Sequence, residues 1–119
     1  MLVEDNPGDV KVIYEMLNDD EEHKYYISNS NRLDESIKKL ITEKFDIILL
    51  DLGLPDSDGM DTFDIMKYNA PKSPIIVLTG FKEDILEVCT VGKGAKDYLV
   101  KDELKKTLLI NSIHEALQA

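Results

Sequence analysis

Five positions combine a charged or reactive side chain with a place just after an apolar run. Glu4 and Asp5 follow Leu2-Val3, Asp51 follows Ile47-Ile48-Leu49-Leu50, Thr79 follows Ile75-Ile76-Val77-Leu78, and Lys101 follows Tyr98-Leu99-Val100. Brought together, three carboxylates, a hydroxyl and an ammonium make a site for anionic chemistry around a cation. Carboxylates held close repel one another, and keeping two or three ionised is costly unless a positive ion sits among them. The donors are oxygens, with no His or Cys at these positions, so the ion is hard. Mg2+ held by one or two carboxylates, a backbone carbonyl and waters fits best, and such a site keeps a place open for phosphate.

Convergence of residues so far apart needs a scaffold, and the apolar runs supply one. Leu2-Val3, Tyr25-Tyr26-Ile27, Ile47–Leu50, Ile75–Leu78 and Tyr98–Val100 are centred near residues 3, 26, 49, 77 and 98. Intervals of about 21 to 28 residues suit strand, loop, three-turn helix and loop, the parallel crossover repeat. The runs 47–50 and 75–78 are apolar without alternation, as strands covered on both faces are; the run at 25–27 is more polar and reads as an edge. In open parallel sheets the ligand site lies beyond the carboxyl ends of the strands, where all five positions fall.

The intervening segments read as helices. Residues 7–18 put Val10, Ile13 and Leu17 on one stripe, and 31–42 do the same with Leu33, Ile37, Leu40 and Ile41. Asn6 before Pro7 reads as an N-cap, and Ser30 or Asn31 as the cap of the second helix. A third helix runs from about Gly59 to Tyr68 and a fourth from about Lys82 to Val91, closed by Gly92 to Gly94. A fifth runs from Asp102 to about Leu117 with Leu104, Leu108 and Ile113 inward. Only three residues precede Glu4, short for a strand of about 5 to 6 residues, so the first strand reads as truncated.

The 119-residue chain has room for one domain. Its net charge of −10 opposes binding to nucleic acid or to anionic lipid surfaces. Cys89, the sole cysteine, has no partner for an internal disulfide and reads as a buried thiol in a reducing compartment, the cytoplasm. No apolar run approaches the roughly 20 residues of a membrane span.

Four motifs in order carry a resemblance: Leu2-Val3-Glu4-Asp5-Asn6; Ile48-Leu49-Leu50-Asp51-Leu52 with Leu54-Pro55 and Asp58-Gly59; Val77-Leu78-Thr79-Gly80; and Gly94-Ala95-Lys96-Asp97-Tyr98-Leu99-Val100-Lys101. Together they resemble the receiver domain of two-component response regulators over essentially the whole chain. The resemblance implies a five-stranded parallel sheet, doubly wound (βα)5, in the flavodoxin-like strand order 2-1-3-4-5. It makes Asp51 the phosphoacceptor, which takes a phosphoryl group from the phosphohistidine of a histidine kinase or histidine phosphotransfer domain. Mg2+ would be bound by Asp5 and Asp51, by the backbone carbonyl of Gly53, and by Glu4 through water. Lys101 would pair with Asp51 and then with the phosphoryl oxygens, Thr79 would donate its hydroxyl to them, and Tyr98 would turn inward as Thr79 moves. The face formed by the fourth helix, fifth strand and fifth helix, residues about 82–118, would carry the output and possible self-association. Phosphoryl transfer is mostly positioning and charge neutralisation, so the physics agrees. Such a domain catalyses only its own phosphorylation and dephosphorylation.

Plainer readings stand beside these. Asp51 can be a strand-end cap, Glu4-Asp5 a complement to a helix dipole, Thr79 a β-branched strand residue, Lys101 a solvated lysine and Tyr98 a half-buried strand tyrosine. His23 and His114 read as exposed or locally satisfied, and neither as a phosphohistidine. An EF-hand reading of Asp56-Ser57-Asp58-Gly59 fails because, with Gly59 at loop position 6, Leu54 and Ile65 fall at positions 1 and 12. A haloacid-dehalogenase-type phosphatase wants a second Asp where Gly53 stands. The acidic Glu4-Asp5-Asn6-Pro7-Gly8-Asp9 segment is no glycine-rich nucleotide loop.

Two departures from the common receiver pattern stand out. Asp102 follows Lys101 where the family has proline and a cis peptide, which leaves both a trans and a strained cis bond open. Gly53 and Phe81 flank the path of attacking water, one opening it and the other shielding it. A receiver-like module that signals by binding alone is the alternative reading. No effector segment is legible, so the domain reads as a stand-alone receiver or as a piece of a longer regulator or hybrid kinase.

Overall fold

The computed structural model describes residues 1–57, 59–80 and 94–118. Five short strands form one parallel sheet in the order β2-β1-β3-β4-β5: β1 (Leu2–Val3), β2 (Asn29–Ser30), β3 (Ile48–Asp51), β4 (Ile75–Thr79) and β5 (Asp97–Val100). Four helices are described, α1 (Pro7–Asn18), α2 (Leu33–Thr42), α3 (Gly59–Asn69) and α4 (Lys106–Gln118). Register runs Leu2↔Leu49, Leu50↔Val77 and Val77↔Tyr98, and alternate strand residues face opposite sides. Val3, Ile48, Leu50, Ile75 and Val77 form one core with Leu33 of α2 and with Phe63 and Met66 of α3. Leu2, Leu49, Ile76, Leu78 and Leu99 form the other with Ile13 and Leu17 of α1 and with Leu109 and Ile113 of α4. Helices on both faces explain why the central strands read as continuous apolar runs.

The Asn6 cap of α1 holds: its side-chain oxygen accepts the Asp9 N–H at 3.1 Å, with Pro7 in the first turn. Several expectations are corrected. The second strand lies at Asn29–Ser30, not at Tyr25–Ile27, because the β1 ladder begins at the Ser28 carbonyl and the Asn29 amide side chain donates to the carbonyls of Leu2 and Glu4. Tyr25 and Ile27 pack on the core from the preceding loop, while Tyr26 is 86% exposed.

Neither Ser30 nor Asn31 caps α2. The carboxylate of Asp56, from the loop after β3, accepts the N–H groups of Leu33 at 2.8 Å and Asp34 at 3.0 Å. Ile41, placed inward by periodicity, is 79% exposed at the last turn.

The last helix begins later than expected. Lys101–Glu103 form a 3-10 turn and α4 starts at Lys106, so Leu109 is the buried residue and Leu108 is 44% exposed. Helix four as read from sequence (Lys82 to Val91), Phe81, Cys89 and Asp58 lie outside the described residues.

Candidate active site

Parallel strands deliver the chemistry to one edge. Glu4 and Asp5 leave the end of β1, Asp51 ends β3, Thr79 ends β4 in register with Val100, and Lys101 follows β5. Glu4 is fully buried, its own N–H tied to the Ser30 carbonyl at 2.9 Å and its Oε1 accepting the Asn6 N–H at 3.1 Å. Asp51 and Thr79 are buried as well, whereas Asp5 is exposed.

The Lys101 ammonium organises the cluster. Its Nζ donates to Glu4 Oε2 at 2.8 Å, Asp9 Oδ2 at 3.0 Å and Asp51 Oδ2 at 3.2 Å, one acceptor for each of its three donors. Among the described residues no peptide bond is cis, so Lys101 reaches the carboxylates with the Lys101–Asp102 bond trans. Burial alone pulls the ammonium toward neutrality, but the bonds to Glu4 and Asp9 and the charge of Asp51 outweigh it and hold Lys101 above the usual lysine range. Burial pushes the Glu4 carboxyl up to about 7, with Asp51 adding to the rise against the opposing bonds from Lys101 and Asn6. Four carboxylates around one ammonium leave the site strongly negative.

Glu4, Asp5 and Asp51 each present an oxygen within 4.8 Å of the others, an all-oxygen donor set that suits a hard divalent ion. Gly53 is exposed; its N–H donates to Asp51 Oδ1 at 3.2 Å, which aims the carboxylate. Strand alternation puts Tyr98 on the face of Val77 and Thr79, half-buried against the core built on α2 and α3.

The structure thus gathers Glu4, Asp5, Asp51 and Lys101, and sets Thr79 at the same sheet edge. Asp9 was missed by sequence reasoning. The available signal was an acid in the first turn of a helix that starts at the carboxyl edge of the sheet, where side chains of that turn overhang the site.

Residues 1–114 match the family of the response regulator receiver domain. The chain belongs to that family. Among curated relatives, this receiver domain is 30% identical over 118 residues to the cell cycle transcriptional regulator CtrA of Caulobacter vibrioides, covering 99% of the chain and 49% of CtrA. It is 32% identical over 108 residues to the signal transduction histidine-protein kinase BarA of Escherichia coli, covering 85% of the chain and 11% of BarA. The chain therefore spans about half of the one and about a tenth of the other. The receiver domain of sensor histidine kinase PA1611 from Pseudomonas aeruginosa PAO1, solved with magnesium in its active site cleft, superposes with a TM-score of 0.81 at 29% identity, covering 99% of this chain and 95% of that one. Receiver domains are modules of two-component signalling proteins, both response regulators and sensor kinases, and are not classical enzymes. Among the described residues no helix is long and apolar enough to cross a membrane.

Proposed function

We propose that this receiver domain, taken as residues 1–119, accepts a phosphoryl group on Asp51 from the phosphohistidine of a histidine kinase or histidine phosphotransfer domain in a cytoplasmic relay. A carboxylate oxygen of Asp51 attacks phosphorus, the P–N bond to the donor imidazole breaks, and its electron pair stays on the departing nitrogen. The observation that carries this reading is the Lys101 ammonium bridging Asp51 and Glu4 at the carboxyl edge, with Asp5 beside them.

The donor set fits Mg2+, with Asp5 and Asp51 as direct ligands, the Gly53 carbonyl as a further one and Glu4 acting through water. When bound, the ion offsets the charge of Asp51 and of the phosphoryl oxygens. Lys101 exchanges Asp51 for a phosphoryl oxygen, and Thr79 donates its hydroxyl to the same group. Tyr98 shares a face with Thr79 and turns inward with it, repacking the output surface at residues about 82–118, through which two copies can also associate. The catalyst is the domain itself, acting on its own phosphorylation and dephosphorylation.

Intact mass after incubation with acetyl phosphate tests this. One phosphoryl adduct is expected with Mg2+, none with EDTA and none in Asp51→Asn. A folded protein that gives no adduct under any condition would favour a module that signals by binding alone.

A further inference from the structure

A second cluster lies at the other end of the molecule. α1 starts at the carboxyl edge of the sheet and its 12 residues span about 18 Å. Asp20, just past its far end, meets His23 of the same loop and His114 of α4. Asp20 Oδ2 lies 3.5 Å from His23 Nδ1 and 3.5 Å from His114 Nε2, and all three donor atoms fall within 4.8 Å of one another. The two rings lie with centroids 4.2 Å apart and planes tilted by 57°.

These separations are long for hydrogen bonds and close to the roughly 3.3 Å edge of a tetrahedron with metal–ligand bonds of about 2.0 to 2.1 Å. The side chain of Asp20 is 7% exposed and that of His23 52%, so the carboxylate is enclosed while one imidazole faces solvent. The Tyr25 hydroxyl donates to Asp20 Oδ2 at 2.5 Å and meets His114 Nε2 at 3.1 Å. The Tyr25 hydroxyl thus engages both Asp20 Oδ2 and His114 Nε2, two of the three donor atoms.

We propose that Asp20, His23 and His114 bind a divalent transition ion of the Zn2+ class, with water completing the shell. Two imidazoles and one carboxylate select such an ion over Mg2+, whereas the oxygen-only cluster at Asp51 has the opposite preference. The acidic run Asp19-Asp20-Glu21-Glu22 adds a local field that attracts cations. Binding requires His114 Nε2 to give up its contact with the Tyr25 hydroxyl, so the ion and Tyr25 compete for it. An ion here ties the loop after α1 to α4, far from Asp51.

The test is titration of the 119-residue chain with Zn2+ by calorimetry, and with Co2+ by visible absorption, both in saturating Mg2+ to block the Asp51 cluster. One ion per chain is expected, with the strong visible bands of low-coordinate Co2+. His23→Gln, at an exposed position, and His114→Gln should each weaken binding by about 100-fold or more, since even outer-shell losses cost about 10- to 100-fold. Tyr25→Phe should tighten it by removing the competitor, a result that a merely structural cluster would not give. Absence of saturable binding, binding unchanged in both histidine variants, or binding lost in Asp5→Asn instead would overturn the proposal.

Discussion

Lys101 faces three carboxylates at once, and only one of them, Asp51, is the proposed phosphoacceptor. Asp9 is the most exposed of the three, its side chain 39% accessible, and its hold on Lys101 would oppose the proposed exchange of the ammonium onto a phosphoryl oxygen. An ion pair at such a site is worth about 0.5 to 1 kcal/mol. Asp9→Asn should therefore speed labelling by acetyl phosphate about two- to five-fold, measured by intact mass against time; a slower rate would mean that Asp9 helps to place Lys101 instead. The residue types at positions 4, 5, 51, 79 and 101 were legible from sequence because each lies within two residues of the end of an apolar run. Asp9 was not, because its role depends on where α1 passes over the site. The histidines were read singly for the same reason: nothing in the spacing of His23 and His114 says that they meet.

At the scale of elements, α2 depends on a distant residue for its start. Asp56 satisfies two N–H groups that no side chain of α2's own leading residues accepts. Asp56→Ala should destabilise the domain by about 1 kcal/mol, as loss of a cap does, read from denaturant unfolding. Burial alone would raise the Asp56 carboxyl, but its bonds to the Leu33 and Asp34 N–H groups hold it below the ordinary value of 3.8. The folded state thus favours the ionised form. The contribution is present above the ordinary carboxylate range and is lost as pH falls below it, a loss that the alanine variant should not show.

The phase of α4 gives a second element-scale outcome. Leu109→Ala should cost about 2 to 5 kcal/mol, as a buried leucine does. Leu108→Ala, at an exposed position, should stay within about 0.5 kcal/mol, and a reversed order would restore the phase expected from sequence.

For the molecule as a whole, the proposed Mg2+ site at the carboxylates around Lys101 predicts that stability follows the ion. A ligand that binds only the folded state adds about 2.7 kcal/mol at 100 times its dissociation constant. Thermal unfolding should therefore shift upward with Mg2+, return with EDTA, and shift much less in Asp5→Asn. A shift preserved in Asp5→Asn would place the ion elsewhere. Gathering these charges at one edge is a property of the sheet, since β1, β3, β4 and β5 run parallel and end together.

What the sequence determined was the strand repeat and the residue types at the strand ends. Apolar runs long enough to cross a sheet covered on both faces, helical stripes between them, and polar residues immediately after the runs are local patterns, and local patterns survive in one dimension. Strand β2 escaped because its position is set by pairing with Leu2 and Val3, not by its own hydrophobicity. The start of α4 escaped because the chain first makes a 3-10 turn at Lys101–Glu103, which rotates every later residue about the helix axis. Only the tertiary structure decided the Asp56 cap, the reach of Asp9 to Lys101 and the meeting of Asp20, His23 and His114. Each joins segments whose approach is fixed by packing across the whole sheet rather than by anything in the neighbouring residues.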